Sequence, residues 1–308
     1  MPCCSCGATV AKEIRSHCQD RLHGVAGEWR ILECAQCGLI YTDPVLSADR
    51  ILEYYPSDYN PYNPNKSLRS TRLGAVLRGV LMLPYQVRFG NPDWEEKPFG
   101  GKRLIDVGCG SGVFLSEAVR QGWQCWGIDF SPLAVAAARR QVPEARIENN
   151  TLENLSPVEK FDLINLSHVL EHLTDPNQAL RTCYDRLNSD GKLRVIVPNF
   201  GGLESRVFRQ SWIGLDIPRH LFHFRKSVLC NLLREIGFSD IQVRPAMFAS
   251  SISESLILAL PTGLRRKIMH TRFAHWLYLS AIFPAALSYL VGNAGAIEVT
   301  AKRPTISS

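Results

Sequence analysis

Three sets of residues in this 308-residue chain have types and spacings that could do chemistry. Cys3-x-x-Cys6-Gly7 and Cys34-x-x-Cys37-Gly38 repeat one knuckle twice, each a tight bend offering two thiolates. Four such sulfurs make the closed tetrahedral donor set of a structural zinc site. The glycine after each pair permits the bend and lets backbone N–H groups approach sulfur. Cys4, His17, Cys18 and His23 are close enough in sequence to replace a ligand. A second set is the run Arg103 to Leu115, RLIDVGCGSGVFL, where an apolar stretch holding Asp106 gives way to Gly108, Gly110 and Gly112. The third set is basic: His168, His172, Arg219, His220 and His223. An imidazole titrates near neutrality and so can serve as a general base. A guanidinium fork can grip a phosphate or carboxylate.

The glycine turn narrows the ligand. A dinucleotide fingerprint would put its third glycine or alanine at 113, where Val113 stands, and it does not require an acid two residues before the first glycine. A carboxylate at Asp106 suits a ligand that brings an ammonium group. The next apolar run, Trp123 to Asp129, ends in an acid 21 residues after Gly108. The two oxygens of Asp129 could hold both hydroxyls of a ribose. Ser131-Pro132 then starts a helix over 133–140, with proline in its first turn.

These segments resemble the class I S-adenosylmethionine-dependent methyltransferases. LIDVGCGSG is similar to the family's first motif, WGIDFSP to its second, and Phe161 to Leu173 to its fourth strand and following loop. The resemblance covers residues 100–245 and implies S-adenosylmethionine as cofactor on a doubly wound, seven-stranded Rossmann-like α/β sheet. It also implies that Asp106, Gly108, Gly110 and Gly112 hold the methionine end and Asp129 the ribose. Phe130, Thr151 and Leu152 would lie against adenine, with Ser167 at the tip of the fourth strand. The block from Trp212 to Phe224 resembles methyltransferases of glycan and natural-product pathways. Sugar C-methyltransferases are similar in carrying a two-knuckle zinc module and a histidine aligned with His220 as general base. They usually have Glu where Arg219 stands here.

The elements that position these groups follow from the pattern. Residues 1–45 read as the zinc-binding module and 46–99 as a connector with a tyrosine-rich loop. Tyr59 and Tyr62 in that loop are candidates to fold over the cofactor. Residues 100–308 read as the methyltransferase domain, with an apolar helical insertion at 248–295 between the last two strands. His168 and His172 lie four apart, which places them on one face of a helix. His168, His220, His223 and Arg219 are the expected catalytic or acceptor-binding residues.

Charge separates the partner classes. The net charge is +6, with apolar residues at 45% and charged residues at 21%. Five basic residues and no acid fall between Lys66 and Gly90, and four and no acid between Ser255 and Ile297. The net positive charge is thus local to two apolar stretches, the remaining chain being net −3, whereas a nucleic-acid binder spreads it along a groove. No aromatic–basic platform is present, which argues against the RNA methyltransferase alternative. The intact turn with both Asp106 and Asp129 argues against a cofactor-binding scaffold without catalysis. The amphipathic helix over 68–87 and the stretch 255–295 have two readings, a lid over the acceptor or a peripheral patch on anionic lipid. The expected acceptor is a small molecule or glycan, free or lipid-linked. The N-terminus lacks an apolar signal region, and ten cysteines suit a reducing compartment, so the expected location is cytoplasmic, with the inner membrane face as a docking surface.

Overall fold

A computed structural model of the protein describes residues 3–55, 102–246, 251–268 and 291–305, with single positions between 277 and 288. Tyr59, Tyr62, the expected helix over 68–87 and half of Trp276 to Val291 lie outside the described residues.

The central strands are Arg103–Val107 (β4), Gln124–Asp129 (β5), Arg146–Asn149 (β6), Phe161–Ser167 (β7) and Leu187–Pro198 (β8). Ser239–Ala246 (β10) and Ala296–Lys302 (β11) complete a seven-stranded sheet in the order β10-β11-β8-β7-β4-β5-β6. The five central strands pair in parallel, and β11 pairs antiparallel with both β8 and β10. Parallel strands covered on both faces read as continuous apolar runs. Leu104-Ile105, Leu163-Ile164 and Leu166 are such runs, and all are buried. The fold is the doubly wound α/β sheet that the sequence implied. The expected hairpin of the last two strands is present, and its partners Pro245 and Ile297 stand on either side of the insertion.

Helices Val113–Arg120 (α1), Pro132–Gln141 (α2), Pro176–Arg186 (α3) and Lys226–Ile236 (α4) flank the sheet. Their ends follow local chemistry. Ser131 and Asp175 accept the N–H groups of Ala134 and Gln178, each just before a proline in the first turn. Gly237, at φ 112°, stops α4 in the left-handed region.

A second sheet is formed by Ala11–Cys18 (β1), Trp29–Cys34 (β2) and Ile40–Asp43 (β3), with Phe222–His223 (β9) as its fourth strand. Ile40 faces His223 and Tyr41 faces Phe222 across the last pair. The N-terminal sheet therefore takes its fourth strand from the stretch of chain between β8 and β10. Trp29, Ile31 and Ile40 pack against Phe200, Trp212, Leu215 and Ile217 in one buried cluster. The insertion begins with Ser251–Ala259 (α5) and Thr262–Ile268 (α6). The Ser255 hydroxyl accepts the Ile213 N–H at 3.0 Å, which seats α5 on the turn before His220. Among the described residues no helix is long and apolar enough to cross a membrane.

Candidate functional site

The glycine turn between β4 and α1 is built for close approach. Gly108, Gly110 and Gly112 have φ of 68°, 53° and 83°. A Cβ on Gly108 would stand 2.5 Å from Val169 Cγ2, and one on Gly112 3.3 Å from the Ala138 backbone. Side chains are excluded there by both angle and space. The N–H groups of Gly108 and Cys109 donate to the Ile128 carbonyl at 2.8 and 3.0 Å, which ties the turn to β5. Cys109 itself is buried, a small filler beneath the turn.

Asp129 stands at the tip of β5 beside the turn. One of its oxygens accepts the Gly110 N–H at 3.0 Å and the other the Ser131 N–H at 2.8 Å. Each carboxylate oxygen has a second lone pair, so this anchoring fixes its orientation and still leaves acceptor capacity for two hydroxyls. Burial pushes its pKa up, against the pull of those two N–H groups. Phe130 is half exposed and meets the Tyr55 ring edge-on at 5.9 Å. Leu152 is buried and Thr151 partly so, on the segment after β6. Ser167 ends β7, partly buried.

Asp106 heads a buried polar chain that sequence reasoning missed. Its Oδ1 accepts the Asn165 amide at 2.6 Å. The Asn165 carbonyl accepts Arg194 at 2.7 Å, and Arg194 donates to Glu298 at 2.5 Å. The four residues come from β4, β7, β8 and β11, which are neighbours in the sheet. Burial raises Asp106 to about 7, opposed by the Asn165 hydrogen bond and the Arg194 charge. A signal existed. Arg194 and Glu298 sit inside apolar strands of a central sheet, where a charge must find a partner.

The histidines gather on the other side of Val169. His168 has φ 56°, and only a single 3-10 turn, Leu170–His172, follows it. The expectation that His168 and His172 share a helix face is thus corrected: the true helix starts at Pro176, behind its Asp175 cap. His168 Nδ1 instead pairs with Glu171 Oε1 at 3.3 Å. His172 Nδ1 lies 3.0 Å from both the Arg219 carbonyl and the Tyr55 hydroxyl. Burial, with the neighbouring His220, pulls His172 down to about 4. The His172 and His220 rings meet edge-on at 4.6 Å. His220 is buried, its Nδ1 2.9 Å from the Gly214 carbonyl. A carbonyl can only accept, so Nδ1 carries a proton, and in the neutral ring the lone pair is on Nε2. Asp216 Oδ2 lies 3.9 Å from that Nε2.

Two expected site residues serve other ends. The guanidinium of Arg219, read from sequence as a grip on the acceptor, is fully buried. It donates to Asp216 at 2.6 Å and to both oxygens of Asp20 at 2.9 and 3.1 Å. Asp20 in turn accepts the N–H groups of Leu22, His23 and Val25. Arg219 thus clamps the loop of His220 to the N-terminal sheet, and no face of it is left for a ligand. His223 is buried as well, with Nε2 3.0 Å from Thr42 Oγ1. The Thr42 hydroxyl donates to the His220 carbonyl at 2.7 Å, so His223 must donate its own N–H to that oxygen. Burial holds its pKa well below the usual histidine value. It is a strut of β9 rather than a companion to His220.

The four expected ligand cysteines come together. Cys3, Cys6, Cys34 and Cys37 place their sulfurs within 4.8 Å of one another, and the cluster includes none of Cys4, His17, Cys18 or His23. Both knuckles close the same way: Gly7 N–H to Cys3 O at 2.8 Å and Gly38 N–H to Cys34 O at 3.0 Å. Sulfurs at ~2.3 Å from a tetrahedral zinc would stand about 3.8 Å apart. The Cys3–Cys37 and Cys6–Cys34 separations are 3.6 and 3.5 Å, so the donor set fits that ion.

A family model described as a methyltransferase domain matches residues 87–243, just over half of the chain. This chain belongs to the class I S-adenosylmethionine-dependent methyltransferases. The methyltransferase is 35% identical over 103 residues to a ubiquinone biosynthesis O-methyltransferase of Rhodopseudomonas palustris, covering 32% of this chain and 41% of that one. It is 26% identical over 162 residues to one of Cereibacter sphaeroides, covering 49% and 66%. It therefore spans about two fifths and just under two thirds of these relatives' lengths. Among solved structures, a SAM-dependent methyltransferase from Archaeoglobus fulgidus matches with a TM-score of 0.45 at 19% identity, over 73% of this chain and 94% of that one.

Proposed function

We propose that this protein transfers the methyl group of S-adenosylmethionine to a hydroxyl of a small molecule, with His220 as general base. The cofactor supplies an electrophilic methyl on a sulfonium. Asp106 and the turn at 108–112 would hold its methionine end, and Asp129 its ribose. His220 would take the acceptor's proton on Nε2, while Gly214 fixes the ring through Nδ1 and Asp216 stands close enough to stabilise the imidazolium formed. One observation carries the reading. The segment 168–172 touches both halves, since Val169 packs against Gly108 and Glu171 lies beside His220. The base and the cofactor cradle thereby share one wall.

The relatives' names support oxygen over carbon or nitrogen as the nucleophile, and a glycan-type hydroxyl is the narrower form of the same reading. Cys3, Cys6, Cys34 and Cys37 would hold a structural zinc, supported by the sulfur spacing and by the paired knuckles. Thiolate ligands of this kind suit a cytoplasmic location. Helix α5, seated on the turn at 213–215, supports the lid reading of the insertion. Calorimetry with S-adenosylhomocysteine on wild type and Asp129→Ala tests the cofactor half. Binding by wild type and its loss in the variant are expected, and failure of wild type to bind would overturn the assignment. Labelled methyl transfer to a panel of hydroxylated small molecules tests the base: His220→Asn should lose transfer and keep cofactor binding.

A further inference from the structure

Strand register makes Asp106, Asn165 and Arg194 direct neighbours across β4, β7 and β8. Glu298 stands two places from Thr300, the β11 partner of Arg194, and meets the guanidinium on the diagonal. All four side chains are buried. A buried ion pair is often no more stabilising than apolar residues of its size, so stability alone does not account for Arg194 and Glu298 in the middle of a sheet. The direction of each hydrogen bond follows from what Arg194 can do. A guanidinium only donates, so the Asn165 carbonyl must turn toward it, at 2.7 Å. The Asn165 amide N–H is then left pointing at Asp106, 2.6 Å away, where it needs an acceptor. An ionised carboxylate meets that need at either oxygen, a protonated one only at its bare oxygen. Without Arg194 the Asn165 side chain would turn over, offer its carbonyl and accept from a protonated Asp106. Arg194 therefore sets the polarity of the line as well as supplying a positive charge. The Phe114 ring of α1 packs over the guanidinium at 5.4 Å, beside the helix that leaves the glycine turn. Among the described residues, the other ionisable groups facing Asp106 work against its charge or leave it alone. Asp129 carries the same charge and pushes the carboxyl up, while burial keeps the Cys109 and Cys125 thiols neutral.

We infer that Arg194 is a positioning residue for the cofactor: acting through Asn165, it keeps Asp106 an acceptor for the ammonium group at the methionine end. Glu298 balances the charge that Arg194 brings into the sheet. The role rests on the reading of Asp106 given above, whereas the hold of Arg194 on the Asp106 carboxyl needs no ligand.

Exchanging the whole ion pair tests this without stranding a buried charge, so Arg194→Met combined with Glu298→Met in the full chain should fold. Asn165→Leu is the second variant, since it breaks the line and leaves the ion pair whole. In protein labelled with carbon-13 aspartate, the Asp106 carboxyl signal is identified by its loss in Asp106→Asn. It should titrate near pH 7 in wild type. In the double variant it should titrate about one pH unit higher or more, and Asn165→Leu should move it the same way. Affinity for S-adenosylhomocysteine, read by calorimetry, should fall about tenfold near pH 6 in the double variant, with the gap closing as pH rises. In an Asp106→Asn background the same exchange should leave affinity unchanged at every pH, which a merely structural role of Arg194 would not allow. A carboxyl midpoint that stays at the wild-type value in both variants overturns the inference. If the midpoint moves while wild type binds no S-adenosylhomocysteine, the cofactor reading falls and takes the positioning role with it. If wild type binds and the double variant keeps both midpoint and affinity, the role of Arg194 falls alone.

Discussion

The proposed cofactor cradle and the proposed acceptor side are held together by opposite means. The cradle is local: a glycine turn, a carboxylate at the tip of the next strand, and backbone hydrogen bonds between residues some twenty apart in sequence. The acceptor side draws on segments far apart, with Arg219 reaching Asp20 across 199 residues and Thr42 reaching His220 across 178. Damage to the cradle should therefore show mainly in binding. Damage to the acceptor side should show first in the stability of the whole molecule.

The sharpest break of that contrast is Arg219→Met. It leaves Asp20 and Asp216 buried without their counter-charge, and removing one partner of a buried ion pair costs about 3–5 kcal/mol. Urea denaturation should show a loss of that size. A loss below about 1 kcal/mol would mean that the clamp does not hold the His220 loop. Next comes Gly108→Ala, which places a methyl 2.5 Å from Val169 Cγ2 at φ 68°. Strain of about 1–3 kcal/mol should weaken S-adenosylhomocysteine binding by tenfold or more in calorimetry. Adding Val169→Ala should restore part of that loss, because it relieves the clash and not the angle.

A smaller effect is a pH dependence. Burial raises Asp106 from its ordinary 3.8 to about 7 in the folded protein. Between those values the folded state binds more protons than the unfolded one. Its contribution to stability is thus complete below the ordinary value and is lost as pH rises through about 7. Binding of an ammonium-bearing ligand should run the other way, strengthening through about pH 7 and levelling off above it. Asp106→Asn should flatten that profile, and an unchanged profile would separate Asp106 from the ligand. The smallest expected change in that profile comes from Glu298→Gln. It acts on Asp106 only through Arg194 and Asn165, so it should shift the midpoint slightly, while the buried Arg194 keeps an acceptor and loses its counter-charge at a cost of about 1–3 kcal/mol in stability.

The geometry of the glycine turn was legible because its signals are dense and local. Asp106, the three glycines and Asp129 lie within 24 residues, and the required backbone angles leave glycine as the residue of choice. The cysteine knuckles were legible for the same reason. The role of Arg219 was not. In sequence it is a cation beside a histidine, and only the fold brings Asp20 to it. His223 misled in the same way, since nothing in its neighbourhood announces that Thr42 will stand opposite. The placing of His168 and His172 failed on periodicity: a spacing of four suits a helix, yet the Asp175-Pro176 cap delays the helix until after both. Arg194 and Glu298 could have been flagged as charges within apolar strands, although their pairing needed the strand order.

The closing strand of the smaller sheet has a bearing on how this chain is made. Residues 11–43 leave the ribosome well before residues 222 and 223, the two that cover the outer β3 edge. By then the ribosome has produced most of the larger sheet. An uncapped edge of this kind invites pairing with other chains, so the growing chain stays exposed to aggregation until residues 222 and 223 arrive. Conditions that lengthen that interval should lower the yield of soluble protein.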